Sequence, residues 1–437
     1  MTSSEAVTDV ARSRAQRIAL VCALVALGTV LQLLRQRGHP PWDTIQSDDG
    51  TGFIVPAWQH NPVSLLFTQY AGYLLTASRL VAAPLAVLPH SWDAAYAAIV
   101  PSIVTVLLGL FIIQASKGLV RQPALRWLLG LVVVFGPAVG FETTATIAQL
   151  QFPLVFAAFW AIISLDDSRR MLAVRVFVVV LAALSSVLAL TLLPIAAIVA
   201  LTRHRRTDRL LAVAFGIGAV PQVITLLVVP TPPPLAARTL DGIEAIYGQR
   251  VLGAGLVGEA WGESAWNHLG TNLSVLALLA AVTLTVIFGA TTVRSQWWYA
   301  GAAFVWSFGI LVVSLYSRGL VPSFVPRQHV FNHDGIRYML IPGWLVISGL
   351  VLLAGGPPRP VPAWLRRCAT VARVLLVVQT AVIIAAGFRV TSLRSPGPSW
   401  AAELRRVERG CRANPKGAAY PLFSPPNFYG EVPCDEL

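Results

Sequence analysis

The sequence predicts an all-α, polytopic integral membrane protein. Of its 437 residues, 56% are hydrophobic and only 12% are charged, and the mean hydropathy is +0.67. Soluble domains contain about 25% charged residues. Apolar runs of about 20 residues, the length of a membrane-spanning helix, recur along most of the chain. This composition excludes a soluble enzyme, a disordered chain and a collagen-like fibre.

The apolar runs predict about eleven transmembrane helices. The stretch 172–201 is counted as a re-entrant pair of short helices, because Leu184-Ser185-Ser186 and Pro194 interrupt it. The predicted segments are 18–34, 93–114, 125–141, 146–165, the two halves of 172–201, 209–230, 270–290, 297–316, 338–354 and 368–387. Residues 1–390 then form a transmembrane domain, and residues 391–437 form a short extracytoplasmic tail.

Basic residues predict the direction in which the helices cross the membrane. The net charge of +13 comes almost entirely from arginines, many of them on alternate loops. Because cytoplasmic loops are enriched in Arg and Lys, this pattern indicates topology rather than nucleic-acid binding. The loops that we assign to the cytoplasm carry Arg12, Arg14, Arg17, Lys117, Arg121, Arg126, Arg169, Arg170, Arg203, Arg205, Arg206, Arg209, Arg294, Arg359, Arg366 and Arg367. We therefore expect the N-terminus inside and the C-terminus outside.

Two of the predicted outer segments have features of their own. The first outer loop, 35–92, includes a half-apolar stretch, 62–89, that is typical of interfacial helices lying in the membrane plane. The tail contains Cys411 and Cys434. These two cysteines are expected to form a disulfide if the tail faces an oxidising compartment.

Acidic residues are scarce, and three of them follow the first apolar run closely. Asp43, Asp48 and Asp49 lie within the sequence PWDTIQSDDG. A carboxylate at a membrane surface can act as general base on a sugar hydroxyl, and a neighbouring carboxylate can orient the substrate or a cation. The alternative is a solvated turn, because Asp-Asp-Gly is common in turns.

The predicted outer loop before residue 338 is rich in side chains that bind phosphate. Arginine matches phosphate geometry through two parallel hydrogen bonds. Its polar residues include Arg327, His329, His333, Asp334, Arg337 and Tyr338. The alternative is an ordinary interfacial loop with arginine and tyrosine anchors. His329, His333 and Asp334 lack the spacing of a strong zinc motif, so no metal site is predicted.

Glu142 lies between two predicted helices, with Gln149 and Gln151 close behind. An ionisable residue at membrane depth usually has a function, so Glu142 could face a polar cavity. The alternative, which we favour from the sequence, is a helix-end residue in water.

These features together resemble the GT-C superfamily of membrane glycosyltransferases, which use polyprenyl-phosphate sugars. The resemblance rests on Asp48-Asp49 in the first outer loop and on the late element Gly335-Ile336-Arg337-Tyr338. It includes the interfacial segment with Tyr70, Tyr73 and Arg79, and the short helical pair around Leu184–Pro194 before an arginine-rich loop. The similarity covers nearly the whole chain in topology, although its motifs are short.

The resemblance implies an inverting sugar transfer at the outer face of the plasma (inner) membrane. Asp48 or Asp49 would deprotonate a hydroxyl of a cell-envelope glycan or lipid, and the donor would be a polyprenyl-phosphate-linked sugar. Arg327, Arg337, His333 and Tyr338 would hold the donor phosphate. A divalent cation, Mg²⁺ or Mn²⁺, is compatible with this chemistry but not demanded by it. The residues expected to line the substrate pocket are Asp43, Tyr70, Arg79, Glu142, His329 and Asp334.

Two other functions, and a non-catalytic scaffold, remain open. A lipid-linked-glycan transporter or flippase would use the same arginines but would need ionisable residues through the membrane depth, and the middles of the predicted spans are almost free of charge. An O-antigen-type polymerase would rely on outer-loop Arg and His, and it would tolerate loss of Asp48 and Asp49.

Overall fold

The computed structural model describes residues 3–136, 139–230, 242–318, 335–413, 419–425 and 428–435. The first half of the chain contains α1 (Ser3–Leu33), α2 (Ser47–Asp49), α3 (Val55–Gln59), α4 (Pro62–Phe67), α5 (Thr76–Ala82), α6 (Asp93–Ala115), α7 (Pro123–Phe135), α8 (Val139–Glu142), α9 (Gln151–Ile163), α10 (Arg169–Ala183), α11 (Val187–Leu190), α12 (Leu193–Arg203) and α13 (Arg206–Val228). The second half contains α14 (Ile243–Ile246), α15 (Ala254–Val257), α16 (Glu259–Leu269), α17 (Thr271–Thr291), α18 (Arg294–Arg318), α19 (Leu340–Gly355), α20 (Ala363–Ala386), α21 (Trp400–Ala413), β1 (Ala419–Ser424) and β2 (Phe428–Pro433).

Seven helical segments in the described part of the chain are long and apolar enough to cross a membrane. They are Ala15–Leu33, His90–Gly118, Arg206–Val228, Thr271–Thr291, Arg294–Ser317, Ile336–Gly355 and Ala363–Ala386. The described part of the chain is mostly helical, as a polytopic membrane protein requires, although the tail adds the hairpin β1–β2 that the all-α prediction does not include.

The other four predicted spans coincide with shorter helices. Segments 125–141 and 146–165 overlap α7 and α9, which have 13 residues each. Segment 172–201 contains α10 and the α11–α12 pair, and the chain bends there by 119°. The predicted break is present, because the Ser186 hydroxyl accepts a hydrogen bond from the Leu188 amide and starts a new helix. Helix length alone does not support a count of eleven spans.

The short helices α2–α5 form a layer that covers one end of α9 and α10. The Thr76 amide donates to the carbonyl of Leu184 at the end of α10. The Ser78 hydroxyl donates a 2.8 Å bond to the carbonyl of Ile147, just before α9. Helix ends have carbonyl and amide groups without intrahelical partners, and α5 supplies partners here. This layer belongs to the segment for which we predicted interfacial helices, and it exposes Val63, Phe67 and Val87.

The C-terminal residues pack against the same layer. Helix α21 and the antiparallel hairpin β1–β2 are joined by a disulfide between Cys411 and Cys434, the pair assigned from the sequence. The Ser47 amide donates a 2.9 Å bond to the carbonyl of Pro425. The Trp400 indole donates to the carbonyl of His90. The tail and the first predicted outer loop therefore lie on one side of the protein.

The arginine-rich loops meet at another group of helix ends. Arg203 donates to the carbonyls of Ile163 and Ser164, which end α9. Arg175 forms a buried 3.1 Å ion pair with Asp208 at the start of α13. The Arg359 amide donates to the carbonyl of Thr291 at the end of α17. Hydrogen bonds and ion pairs thus connect loops that the sequence assigns to one membrane side.

Candidate functional site

Asp48 lies in the single turn of α2, immediately before a π-helical segment, Gly50–Ile54. Its carboxylate is 3.8 Å from the Arg337 guanidinium, measured from Oδ2 to Nη1. Tyr70 lies close enough to the same carboxylate for the two side chains to interact electrostatically. Burial and this neighbouring negative charge raise the pKa of Tyr70, so the phenol stays protonated as a donor. Short π-helical turns occur frequently at functional sites.

Glu142 approaches Arg337 from another direction. Its Oε2 is 3.8 Å from Arg337 Nε, and its Oε1 accepts a 3.3 Å hydrogen bond from the Gly335 amide. Glu142 is buried. The favoured interpretation of Glu142 as a helix-end residue in water is therefore wrong. Helix α7 ends at Gly136, and α8 with its carboxylate lies against the 3₁₀ turn Ile336–Met339 that leads into α19.

Arg337 thus lies between two carboxylates, at the start of one of the most buried helices of the protein. Its side chain is 27% exposed, more than that of Asp48 or Glu142. Both ion-pair distances exceed the 2.7–2.9 Å typical of charge-assisted hydrogen bonds. The Tyr338 ring lies 5.3 Å below the guanidinium carbon and contacts Phe152 edge-on. The Arg337 guanidinium is therefore the most exposed of the three charged groups.

Asp49 has a different environment from its neighbour. It is fully buried and accepts three hydrogen bonds, from the Thr146 hydroxyl at 2.8 Å, the Ile147 amide at 3.1 Å and the Ala148 amide at 2.9 Å. Burial raises the pKa of Asp49 to about 6, and the three hydrogen bonds and the charge of Arg394 oppose that rise. Its oxygens have protein partners, so this geometry favours a structural role for Asp49 and leaves Asp48 as the carboxylate available to a substrate.

Sequence reasoning missed Arg394, which is buried beside this region. It donates a 2.7 Å bond to Gln36 Oε1 and a 3.0 Å bond to the carbonyl of Thr144. Burial lowers its pKa to about 10, and the charge of Asp49 opposes this. Nothing in the sequence distinguishes Arg394 from the exposed Arg389 five residues earlier, because only the folded tail brings it to the Asp49 segment.

Arg79 is fully buried, and each of its three guanidinium nitrogens donates to a backbone carbonyl. It bonds to Gly52, Thr68 and Gln69, and its guanidinium stacks over the Phe53 ring. Burial lowers the pKa of Arg79 to about 10. These contacts fix the shape of the π-helical segment, and they favour a structural role over direct binding of a substrate.

The remaining predicted residues are placed as follows. Asp43 is half-buried at the end of a 3₁₀ turn that packs against α6, and neither ion pair of Arg337 involves it. Arg327, His329, His333 and Asp334 lie outside the described residues. Within the described ranges, no three His, Cys, Asp or Glu side chains form a group that could hold a metal ion.

Comparison of the chain with protein-family models, curated proteins and solved structures finds no match. Function is therefore inferred from the residues themselves. The cluster combines one accessible cation, a carboxylate on each side of it and two phenols: its members are Asp48, Tyr70, Glu142, Arg337 and Tyr338. Such a set can hold an anion on the guanidinium while a neighbouring carboxylate accepts a proton.

Proposed function

We propose that this protein is a membrane glycosyltransferase of the GT-C type. It would move a sugar from a polyprenyl-phosphate donor to a hydroxyl of a cell-envelope glycan or lipid. The observation that carries the proposal is the contact of Asp48 with Arg337, because it places a general base beside a phosphate-binding group. These two residues are 289 positions apart by their numbering in the chain.

In this proposal Asp48 accepts the proton of the acceptor hydroxyl. The hydroxyl oxygen forms a bond to the anomeric carbon of the donor sugar, and the bond from that carbon to the phosphate oxygen breaks with inversion. The polyprenyl phosphate leaves with the electron pair, and Arg337 stabilises its negative charge. Glu142 orients Arg337 from the other side. A phosphate is a good leaving group, so no strong general acid is needed, and a divalent cation would only add to the positive charge.

We further propose that the active site faces the extracytoplasmic side of the plasma membrane, with the N-terminus inside and the C-terminus outside. The Cys411–Cys434 disulfide supports an oxidising environment for the tail, and the tail contacts the segment that carries Asp48. The arginine-rich loops would face the cytoplasm. The shorter helices α7, α9, α10 and α12 would be membrane-embedded segments whose outer ends are covered by protein, which gives the predicted total of about eleven.

The test is a cell-envelope glycan profile in a strain that lacks the gene. The strain is complemented with wild type, Asp48→Asn or Arg337→Lys, at matched membrane expression. Asp43→Asn is the control, since Asp43 is a half-buried carboxylate close to α2 in the sequence but lies outside the cluster. We expect wild type and Asp43→Asn to restore the profile, and Asp48→Asn and Arg337→Lys to fail.

Full restoration by Asp48→Asn contradicts the proposed base and favours an O-antigen-type polymerase. Accumulation of a complete lipid-linked glycan in the cytoplasmic leaflet of the deletion strain, with no change in bond formation, favours a transporter. Both results would overturn the transferase proposal.

A further inference from the structure

A cleft lies between α18 and the helices α9 and α12. None of the candidate site residues described above lines it. Its volume is about 240 Å³. Its lining is apolar or aromatic and includes Ile163, Val199, Trp297, Trp298 and Val305. Helix α9 connects the two regions, since Phe152 near its start contacts Tyr338 and Ile163 at its end lines the cleft.

One face of α18 presents a cation, aromatic rings and a small residue in succession. Arg294 is exposed at the first position of the helix, and Trp297 and Trp298 follow three and four residues later on the same face. Gly301 comes one turn further, and a Cβ atom built there would meet nothing within 4 Å. The missing side chain leaves the cleft open at this point. Val305, one more turn along, is exposed and lines the cleft.

The end of the cleft near Arg294 is positively charged. The Arg203 guanidinium lies 5.1 Å from the centre of the Tyr299 ring, which also lines the cleft. Arg206 is exposed at the first position of α13, and Arg205 just before it forms a 2.8 Å ion pair with Asp167. Tryptophan and tyrosine are enriched where a membrane meets water, and arginine there pairs with phosphate. The chemistry that matches this surface is an anionic head group attached to an acyl chain.

We propose that this cleft binds one anionic phospholipid of the arginine-rich leaflet. One acyl chain lies along Trp298, Gly301 and Val305, and the lipid phosphate pairs with Arg294. The inference is independent of the proposed sugar transfer, because it concerns a different set of residues and a lipid that is not consumed.

The test is native mass spectrometry of the full-length protein released from nanodiscs that contain equal amounts of palmitoyl-oleoyl phosphatidylglycerol and phosphatidylcholine. We expect wild type to retain one phosphatidylglycerol. Gly301→Leu fills the cleft and should weaken binding at least about tenfold, the effect of a difference of about 1.4 kcal/mol. Arg294→Gln should abolish the preference for phosphatidylglycerol over phosphatidylcholine.

Gly216→Leu is the matched control, since Gly216 lies in α13, lines no part of the cleft and also has open space at its Cβ position. It should bind lipid as wild type does. If Gly301→Leu does not fold, Ala302→Leu fills the same cleft from the next residue. Equal retention by wild type and the folded cleft variant overturns the proposal. Preferential displacement of phosphatidylglycerol by undecaprenyl phosphate also overturns it, because the cleft would then belong to the sugar donor.

Discussion

The Thr146 hydroxyl donates a 2.8 Å hydrogen bond to Asp49, and this bond connects segments 97 residues apart in the sequence. Thr146 lies just before α9, and Asp49 lies in α2 beside the proposed base. The layer of short helices is therefore attached to the buried helices at the position where the candidate site begins.

Loss of this bond should destabilise the protein in a pH-dependent way. Thr146→Val keeps the shape of the side chain but removes the donor. A hydrogen bond to a charged group contributes about 1.5–3 kcal/mol. We expect a lower melting temperature in detergent, with a larger decrease at pH 8 than at pH 5, because Asp49 has a pKa of about 6 and is ionised only at the higher pH. Thr143→Val is the control, since the Thr143 hydroxyl bonds to Val139 instead. An equal decrease of the melting temperature at both pH values would contradict the proposal that the bond is strongest to ionised Asp49.

Asp49 should also make the stability of the wild type depend on pH. Its pKa rises from 3.8 to about 6 on folding, so the folded state binds the proton more tightly than the unfolded state. The stabilisation that this provides is complete below about pH 4 and is lost as the pH rises through 6. It amounts to roughly 3 kcal/mol at most. Asp49→Asn should remove this part of the pH dependence. The measurement is the melting temperature of both proteins from pH 4 to pH 8, and parallel curves would contradict the prediction.

Substitution of Arg337 should reduce activity more than stability. Arg337→Lys retains the charge but loses the forked geometry that binds two phosphate oxygens. Loss of one such electrostatic contact typically reduces kcat by about 10²-fold or more. We expect that size of decrease in sugar transfer by isolated membranes, with the melting temperature nearly unchanged. Arg389→Lys, on an exposed residue near the tail, is the control. A similar loss in both variants would show that Arg337 has no specific role.

Reduction of the tail disulfide should loosen the layer that carries Asp48. The disulfide closes a loop of 23 residues, and a loop of that length contributes about 3 kcal/mol. We expect Cys411→Ser/Cys434→Ser to lower the melting temperature and to make residues 41–59 exchange amide hydrogens faster, because the Ser47–Pro425 bond depends on the docked hairpin. Cys22→Ser/Cys368→Ser removes the two exposed free cysteines and should change neither property. If Cys411→Ser/Cys434→Ser leaves the exchange of residues 41–59 unchanged, the disulfide does not stabilise the segment that carries Asp48.

The long membrane-spanning helices could be predicted from the sequence, because they depend mainly on apolar composition. Long apolar runs identified the seven span-length helices, and Ser185-Ser186 identified the break before α11. The lengths of α7 and α9 could not be predicted in the same way. Their apolar runs continue past the helix ends: α7 ends where Gly136 is extended, and Ile147 before α9 accepts a hydrogen bond from Ser78 of α5.

The candidate site was predictable only in part, for a related reason. Asp48 and Arg337 stand out because charge is rare in an apolar chain, and the structure brings them together. The burial of Glu142 depends on Gly335 and Arg337, almost 200 residues later, so the local sequence suggested a solvated position. Asp48 and Asp49 have different surroundings because residues 146–148 dock against Asp49 alone. Two neighbouring aspartates look equivalent in the sequence, so this difference could not be predicted.

The shortness of α7 affects how a lipid-linked substrate would reach the site. A helix of 13 residues is about 20 Å long, whereas the hydrocarbon layer is about 30 Å thick. Glu142 ends α8, seven residues after α7, so the carboxylates and Arg337 would be recessed below the head groups by up to about 10 Å if α7 starts at the opposite surface. A phosphate on a long prenyl chain could then enter sideways between helices, with its chain remaining at its normal depth in the bilayer. The aqueous acceptor would have to come from above, through the layer of short helices.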